Sequence, residues 1–365
     1  MKKSYKKHQY LMGFILTVLA WIVYVQTAGP VRTANANQVL NASAVKLPGD
    51  GLDLFAFSPD GKTLASTNAN GQIVLWNVAS GQARLTLPGQ VANSVSRLVF
   101  SPDGNTLASV SDNSIRLWDA TSGNVLLSLP GSVLVTDLAF SPDGRIFATV
   151  GQDARITLRD SQSGATIQIL TGDPSGVNAI EFSPDSKILA AGGQDARIKL
   201  WDSTTGLEKT SLPGVVGAAV TDLVYSPNGK ILAAVSQDAR ITLWDSQSGS
   251  ITQVLSGDPS GVNAIAFSPD SKILVAGGQN AQIKLWDSAT GKEQASLPGE
   301  SGVAVTGLVF SPDGKSLASV GESEPVYLWD VANKLPQLLT GHTDWVDKVI
   351  FSANQKTLTS VGKTG

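Results

Sequence analysis

A short phrase of the type Phe57-Ser58-Pro59-Asp60 returns along this chain, beginning again at Phe100, Phe140, Phe182, Tyr225, Phe267, Phe310 and Phe351. The intervals are 43, 40, 42, 43, 42, 43 and 41 residues. Self-similarity at a fixed period of roughly 20–50 residues marks an architecture built by repetition. A chain of 365 residues could form two ordinary domains, but a repeat array can be one body.

Each period reads as four short strands. In the unit that starts at Val177, a β-prone run ends at Phe182, and Ser183-Pro184-Asp185 turns the chain, proline presetting φ. A second run, 188–191, ends at Gly192-Gly193-Gln194-Asp195, and a third, 197–202, alternates polar with apolar residues. Ser203-Thr204-Thr205-Gly206 turns again before a fourth run closes at Pro213-Gly214. Such a sheet covers neither face alone. Copies stacked around an axis bury both faces, and closing the ring leaves only short edges.

The third strand ends in Trp-Asp at Trp118-Asp119, Trp201-Asp202, Trp244-Asp245, Trp286-Asp287 and Trp329-Asp330, with degenerate copies at Trp76-Asn77 and Arg159-Asp160. With the Ser-Pro-Asp turns, residues 44–365 resemble the WD-repeat β-propeller family. The resemblance implies an all-β propeller of four-stranded blades that meets protein partners on a rim. One departure matters. That family's Gly-His before the first strand is replaced by Pro-Gly (Pro213-Gly214, Pro298-Gly299) or Gly-Asp-Pro (Gly172-Asp173-Pro174, Gly257-Asp258-Pro259), and only Gly341-His342 survives. The turn residues Asp112, Asp153, Asp195 and Asp238, without that His, are expected to bond local amides.

Seven complete units run from about 52 to 340, and the tail supplies two further strands. Residues 38–41 and 44–47 could complete an eighth blade, so an eight-bladed ring closed by the two termini is the expectation. A three-stranded eighth blade and a seven-bladed ring with a carboxyl-terminal tail are the alternatives. Residues 151–210 and 236–295 are near copies, which favours repeated contact over one asymmetric catalytic pocket.

The amino-terminus adds a second theme. Lys2, Lys3, Lys6 and Lys7 precede an apolar centre at 10–25, and Ala34-Asn35-Ala36 ends the polar segment that follows. Residues 1–36 therefore read as a signal peptide or signal anchor helix, and residues 37–365 as the propeller. The propeller is expected outside the cytoplasm, periplasmic or membrane-anchored, in the style of a bacterial exported protein. Removing those four lysines and Arg32 leaves 22 basic against 30 acidic residues. That balance argues against nucleic acid as a partner, and leaves the membrane a role only through an uncleaved amino-terminal segment.

The chain has no cysteine and two histidines, His8 and His342, so neither a histidine-based relay nor a multi-histidine metal site can be assembled. No enzyme activity, cofactor or metal is expected. Calcium at Asp173-Pro-Ser-Gly or Asp258-Pro-Ser-Gly would have one carboxylate per loop, and a proline-initiated turn explains each loop better. For an alternative hydrolase or small-ligand site in the central channel, Glu181 is the one candidate; its sister position is Ala266. The partner-binding candidates are Asp153 with Arg155, Asp195 with Arg197, Asp238 with Arg240, and Arg116 at a related place. Arginine suits interfaces by joining a bidentate donor to a flat apolar stem.

Overall fold

The structure, a computed structural model, describes residues 20–27, 42–50, 54–67, 71–88, 95–111, 114–130, 134–214, 217–299, 303–321, 326–339, 346–352 and 357–364. Seven four-stranded antiparallel sheets, each built from consecutive strands, form blades 1 to 7 at 55–87, 95–130, 135–171, 177–212, 220–256, 262–298 and 305–339. The first strands of neighbouring blades meet around the axis, and the fourth strands are outermost. Ser-Pro turns and third-to-fourth turns share one face. Second-to-third turns and the links between blades share the other.

The expected eight blades and amino-terminal helix are both corrected. The propeller has seven four-stranded blades of consecutive strands, and no helix occurs among the described residues. No helix of those residues is long and apolar enough to cross a membrane. Ala20–Thr27, within the segment read as a leader helix, is a strand paired from Ala20 opposite Thr364 to Thr27 opposite Thr357. Ala42–Asp50 pairs with its other edge and takes in the expected strand at 44–47; residues 38–41 and His342 lie outside the described residues. This composite sheet, ordered Ala42–Asp50, Ala20–Thr27, Thr357–Thr364, Val346–Phe351, belongs to no single repeat. An unbroken apolar run carries no period that separates helix from strand, and its partner here lies more than 300 residues away.

The core lies between sheets. Blade 4 gives Ala190, Ile198 and Leu212 to the cluster that Leu223, Leu232 and Trp244 of blade 5 complete, and every neighbouring pair repeats the pattern. Val346, Phe351 and Leu358 pack on blade 7, while Val361 packs with Phe55, Leu64 and Trp76 of blade 1. The carboxyl-terminal strands thereby close the ring.

The buried tryptophans show how far the polar network has been pared. The indole N–H of Trp76, Trp118 and Trp329 donates to Ser66, Ser109 and Ser319 at 2.8, 2.8 and 2.9 Å. Blade 5 carries Ala234 at the serine position, and Trp244 Nε1 is buried without a partner among the described residues. An unsatisfied buried donor costs roughly 1–3 kcal/mol. Ala234→Ser should therefore raise stability by about 1 kcal/mol, read as a higher denaturant midpoint at unchanged slope. The same exchange that lowered the midpoint would contradict the equivalence drawn between Ala234 and Ser109.

Candidate functional site

Two surfaces carry the expected chemistry: the face with the second-to-third turns, and the axial channel. On the first, Asp153, Asp195 and Asp238 each turn a carboxylate oxygen to the backbone N–H two residues on, at 3.2, 2.8 and 3.2 Å from Arg155, Arg197 and Arg240. This is the local bonding expected of an aspartate deprived of its histidine. The residue between is a buried alanine in the left-handed region, with φ of 63°, 66° and 66° at Ala154, Ala196 and Ala239. An L-residue there costs roughly 1–2 kcal/mol. The bend directs the alanine carbonyl at the following inter-blade link, where Gly172 N–H donates to Ala154 and Gly257 N–H to Ala239 at 3.2 and 3.0 Å. A Cβ on Gly172 would lie 2.7 Å from that carbonyl oxygen, so glycine is required at the link.

The Gly-Asp-Pro loops also have a defined task. Asp173 is buried; its Oδ1 accepts from Ser175 N–H at 2.8 Å and its Oδ2 from Asp195 N–H at 2.6 Å. Asp258 repeats this with Ser260 and Asn280 at 2.9 and 2.6 Å. These carboxylates tie the link to the turn before the third strand, a turn the family's histidine also contacts. Both oxygens of each are occupied by amides, in keeping with a proline-initiated turn.

Three of the four candidate arginines share one environment. Arg155 and Arg240 open their third strands, Arg197 immediately precedes its own, and all three are exposed. Arg155 Nε lies 3.6 Å from Asp153 Oδ2 and Arg240 Nε 3.2 Å from Asp238 Oδ2, with the arginine side chains 67% and 54% exposed. Exposed pairs of this kind contribute roughly 0–1 kcal/mol, so they orient the guanidinium more than they stabilise the fold. Arg116 does not join them. It sits two residues further along its strand, half-buried, with its guanidinium 5.8 Å from the Trp118 ring centroid. Its counterparts are Lys199 and Lys284, which sequence reasoning passed over. Lys199 Nζ donates to the preceding blade's Thr171 and Gly172 carbonyls at 3.1 and 3.3 Å, and Lys284 does likewise at Ser256 and Gly257. Their shared place, two residues before a tryptophan, was the available clue.

Along the axis, Asp137, Glu181 and Asp222 occupy the first strands of blades 3, 4 and 5. Removal from water, then the neighbouring Asp222 and Asp137, pushes Glu181 up to about 8. Asp222 rises to about 6, chiefly through burial, against a hydrogen bond from Leu223 N–H. Asp137 is raised by burial too, partly offset by Leu138 N–H and by Arg97 at 3.5 Å. Lys348, on the other side, donates to the Phe55 carbonyl at 3.2 Å and lies over the Phe55 ring. The channel wall is thus acidic over three adjoining blades, with Lys348 across the ring from them on the composite sheet.

The fold and its Trp-Asp repeats define a WD-repeat β-propeller, and residues 51–77 and 81–119 match the WD domain, G-beta repeat. Residues 134–365, more than half of the chain, match the family described as IFT122 first beta-propeller, and the chain belongs to that family. No curated protein matches it. Among solved structures, the crystal structure of the computationally designed Ika8 protein is similar, with a TM-score of 0.73 and 27% identity over 86% of this chain and 97% of that one.

A folded pKa of about 8 for Glu181 means that the native state holds this proton more tightly than the unfolded chain does. The stability it contributes is full below the ordinary glutamate range and is lost as pH rises through about 8. Between pH 6 and 9 the Ser-Pro turn carboxylates, held low by their hydroxyl and amide donors, are already ionised. Wild type should therefore lose about 1–3 kcal/mol over that interval relative to Glu181→Gln, measured by urea unfolding at both pH values. Parallel behaviour of the two proteins would refute the assignment.

Proposed function

We propose that this protein is a non-enzymatic interaction scaffold, held outside the cytoplasm, that receives protein partners on the face carrying the Asp-Ala-Arg turns. WD-repeat propellers commonly act as protein-interaction scaffolds. The observation that carries the reading is the repetition of one arrangement on successive blades. On blades 3, 4 and 5 a turn aspartate is anchored to its own backbone beside an exposed arginine, and on blades 3 and 5 it also pairs with that arginine. A guanidinium already oriented loses less entropy when a partner's carboxylate or carbonyl arrives. Three exposed arginines on adjoining blades, two of them held by their turn aspartate, would suit a partner with spaced acidic residues.

Replacing Arg155, Arg197 and Arg240 together by alanine should cut partner recovery from an envelope fraction at least tenfold, with thermal stability unchanged. Recovery equal to wild type would remove the rim from consideration. The raised Glu181 favours one second reading, a hydrolase or small-ligand site in the central channel, because strongly perturbed carboxyls gather at functional sites. Under that reading Glu181→Gln, and not the arginine triple, would abolish function.

Export is supported by the basic leader and the small residues at Ala34 and Ala36. Cleavage after Ala36 would separate Ala20–Thr27 from the sheet in which it pairs with Thr357–Thr364, so the two cannot hold in one molecule. The amino-terminal residue of purified protein decides: Asn37 or an intact, extracytoplasmic leader supports export, whereas an intact leader in the cytoplasmic fraction defeats it.

A further inference from the structure

We propose that the junction of blades 4 and 5, on the Ser-Pro face, binds a small neutral polyhydroxylated ligand of monosaccharide size. A cavity of about 450 Å³ opens there, between Pro184 and Asp185 of blade 4 and Tyr225, Pro227, Asn228 and Gly229 of blade 5. Pockets for small molecules commonly occupy roughly 300–1,000 Å³. This face is opposite the Asp-Ala-Arg turns, so the site is independent of the scaffold reading.

Departures from the repeat converge on this cavity. The anchor aromatic is phenylalanine at 57, 100, 140, 182, 267, 310 and 351, and tyrosine only at Tyr225. The turn acid is aspartate at 60, 103, 143, 185, 270 and 313; it is asparagine at Asn228 and again at Asn354 in the carboxyl-terminal copy, so among the seven blades of consecutive strands the exchange falls at blade 5. Neither exchange is needed by the fold. The Tyr225 ring fills the inter-blade core as phenylalanine does at the sister junctions, at 6% exposure, and its added hydroxyl has no hydrogen-bond partner among the described residues. That hydroxyl is not among the buried unpartnered atoms, and Tyr225 lines the cavity, so the oxygen is open to it. Asn228 Oδ1 accepts from Ser226 Oγ and Lys230 N–H at 2.9 and 3.0 Å, the duty that Asp185 Oδ1 performs for Ser183 and Lys187. What the asparagine adds is its amide, two donors in place of a negative charge.

The junction is also left untied. Ser186 Oγ accepts the Asp143 N–H at 2.9 Å and Ser271 Oγ the Asn228 N–H at 3.0 Å, fastening blade 3 to 4 and blade 5 to 6. Between blades 4 and 5 the equivalent residue is Gly229. A Cβ there would stand 3.7 Å from Pro184 Cδ, so the space admits a side chain the sequence does not supply. Glycine recurs at other junctions, but only here does it accompany the tyrosine and the asparagine.

The chemistry selects the ligand class. Tyr225 offers a hydroxyl, Asn228 an amide, and Asp185 an acceptor whose charge Lys187 Nζ faces at 3.6 Å. Donors and acceptors without a dominant charge suit hydroxyl groups, and the two proline rings offer C–H surface to a pyranose face.

The test is saturation-transfer NMR on the purified full chain with methyl α-glucopyranoside, methyl α-mannopyranoside and N-acetylglucosamine as probes. Saturable transfer is expected for at least one pyranoside, weakened at least tenfold by Tyr225→Phe and by Gly229→Ser. Tyr225→Phe restores the residue of every sister repeat, and the folded state of both variants is checked by thermal melting. Absence of saturable transfer to wild type, or equal transfer with both variants, overturns the proposal.

Discussion

Everything in this molecule depends on the packing of one sheet against the next. No blade owns a core: its large apolar residues are shared between the clusters on its two sides, as Ile115 and Leu117 face blade 3 while Trp118 faces blade 1. A strand with side chains alternating between two buried faces reads as a nearly continuous apolar run, and each such face needs a neighbour. An open row of sheets would leave one face bare at each end. Val361, fully buried against blade 1, and Phe351, packed on blade 7, supply the missing neighbours. Closure is therefore the condition under which seven individually unstable sheets become one stable body.

The polar atoms follow the opposite rule, since they are satisfied locally. Each Ser-Pro turn binds its own acid, as Ser101 Oγ donates to Asp103 at 2.6 Å and Asn105 N–H completes the turn at 3.0 Å. The aspartate of Trp-Asp caps the following turn, with Thr205 N–H donating to Asp202 at 2.9 Å. Apolar contacts fix which sheets are neighbours, while hydrogen bonds fix how each sheet turns. This separation explains how the family's histidine could be dispensed with. Asp173 and Asp258 make the link-to-turn contact by accepting a backbone amide, and the fold is held by burial in any case.

The period, the strand content, the shared inter-sheet core and the turn aspartates were all legible in the sequence, because each rests on local chemistry repeated many times. Repetition averages out the ambiguity of a single short apolar run. Where a segment occurs once, that help disappears. Ala20–Thr27 resembled the centre of a helix because its strand character comes from Thr357–Thr364, which no local pattern reveals. The blade count was misjudged, eight being expected where seven blades of consecutive strands stand beside the composite sheet. Arg116 was grouped with the turn arginines as standing at a related place, but a two-residue difference in position carries it to the middle of its strand, where Arg155 and Arg240 begin theirs. The axial carboxylates were half visible: Glu181 stood out against Ala266, whereas its coupling to Asp222 and Asp137 needs three strands from three blades.

Repetition also clarifies where function should be sought. A residue common to every blade answers to the fold, since every blade faces the same packing problem. A residue found at one blade answers to something else, or to nothing. By that measure the Ser-Pro serines, present on all seven blades, are structural, the tryptophans, present on six, nearly so, and the Asp-Ala-Arg arginines, present on three, are intermediate. Glu181 and Tyr225 are singular, and both carry polar groups into places where sister repeats are apolar. Glu181 and Tyr225 also lie on adjoining first strands, near enough for the Glu181 charge to act on the Tyr225 phenol. Blades 4 and 5 thus concentrate the departures from an otherwise uniform ring. A propeller tolerates such departures well, because a change at one junction leaves the packing of the others intact.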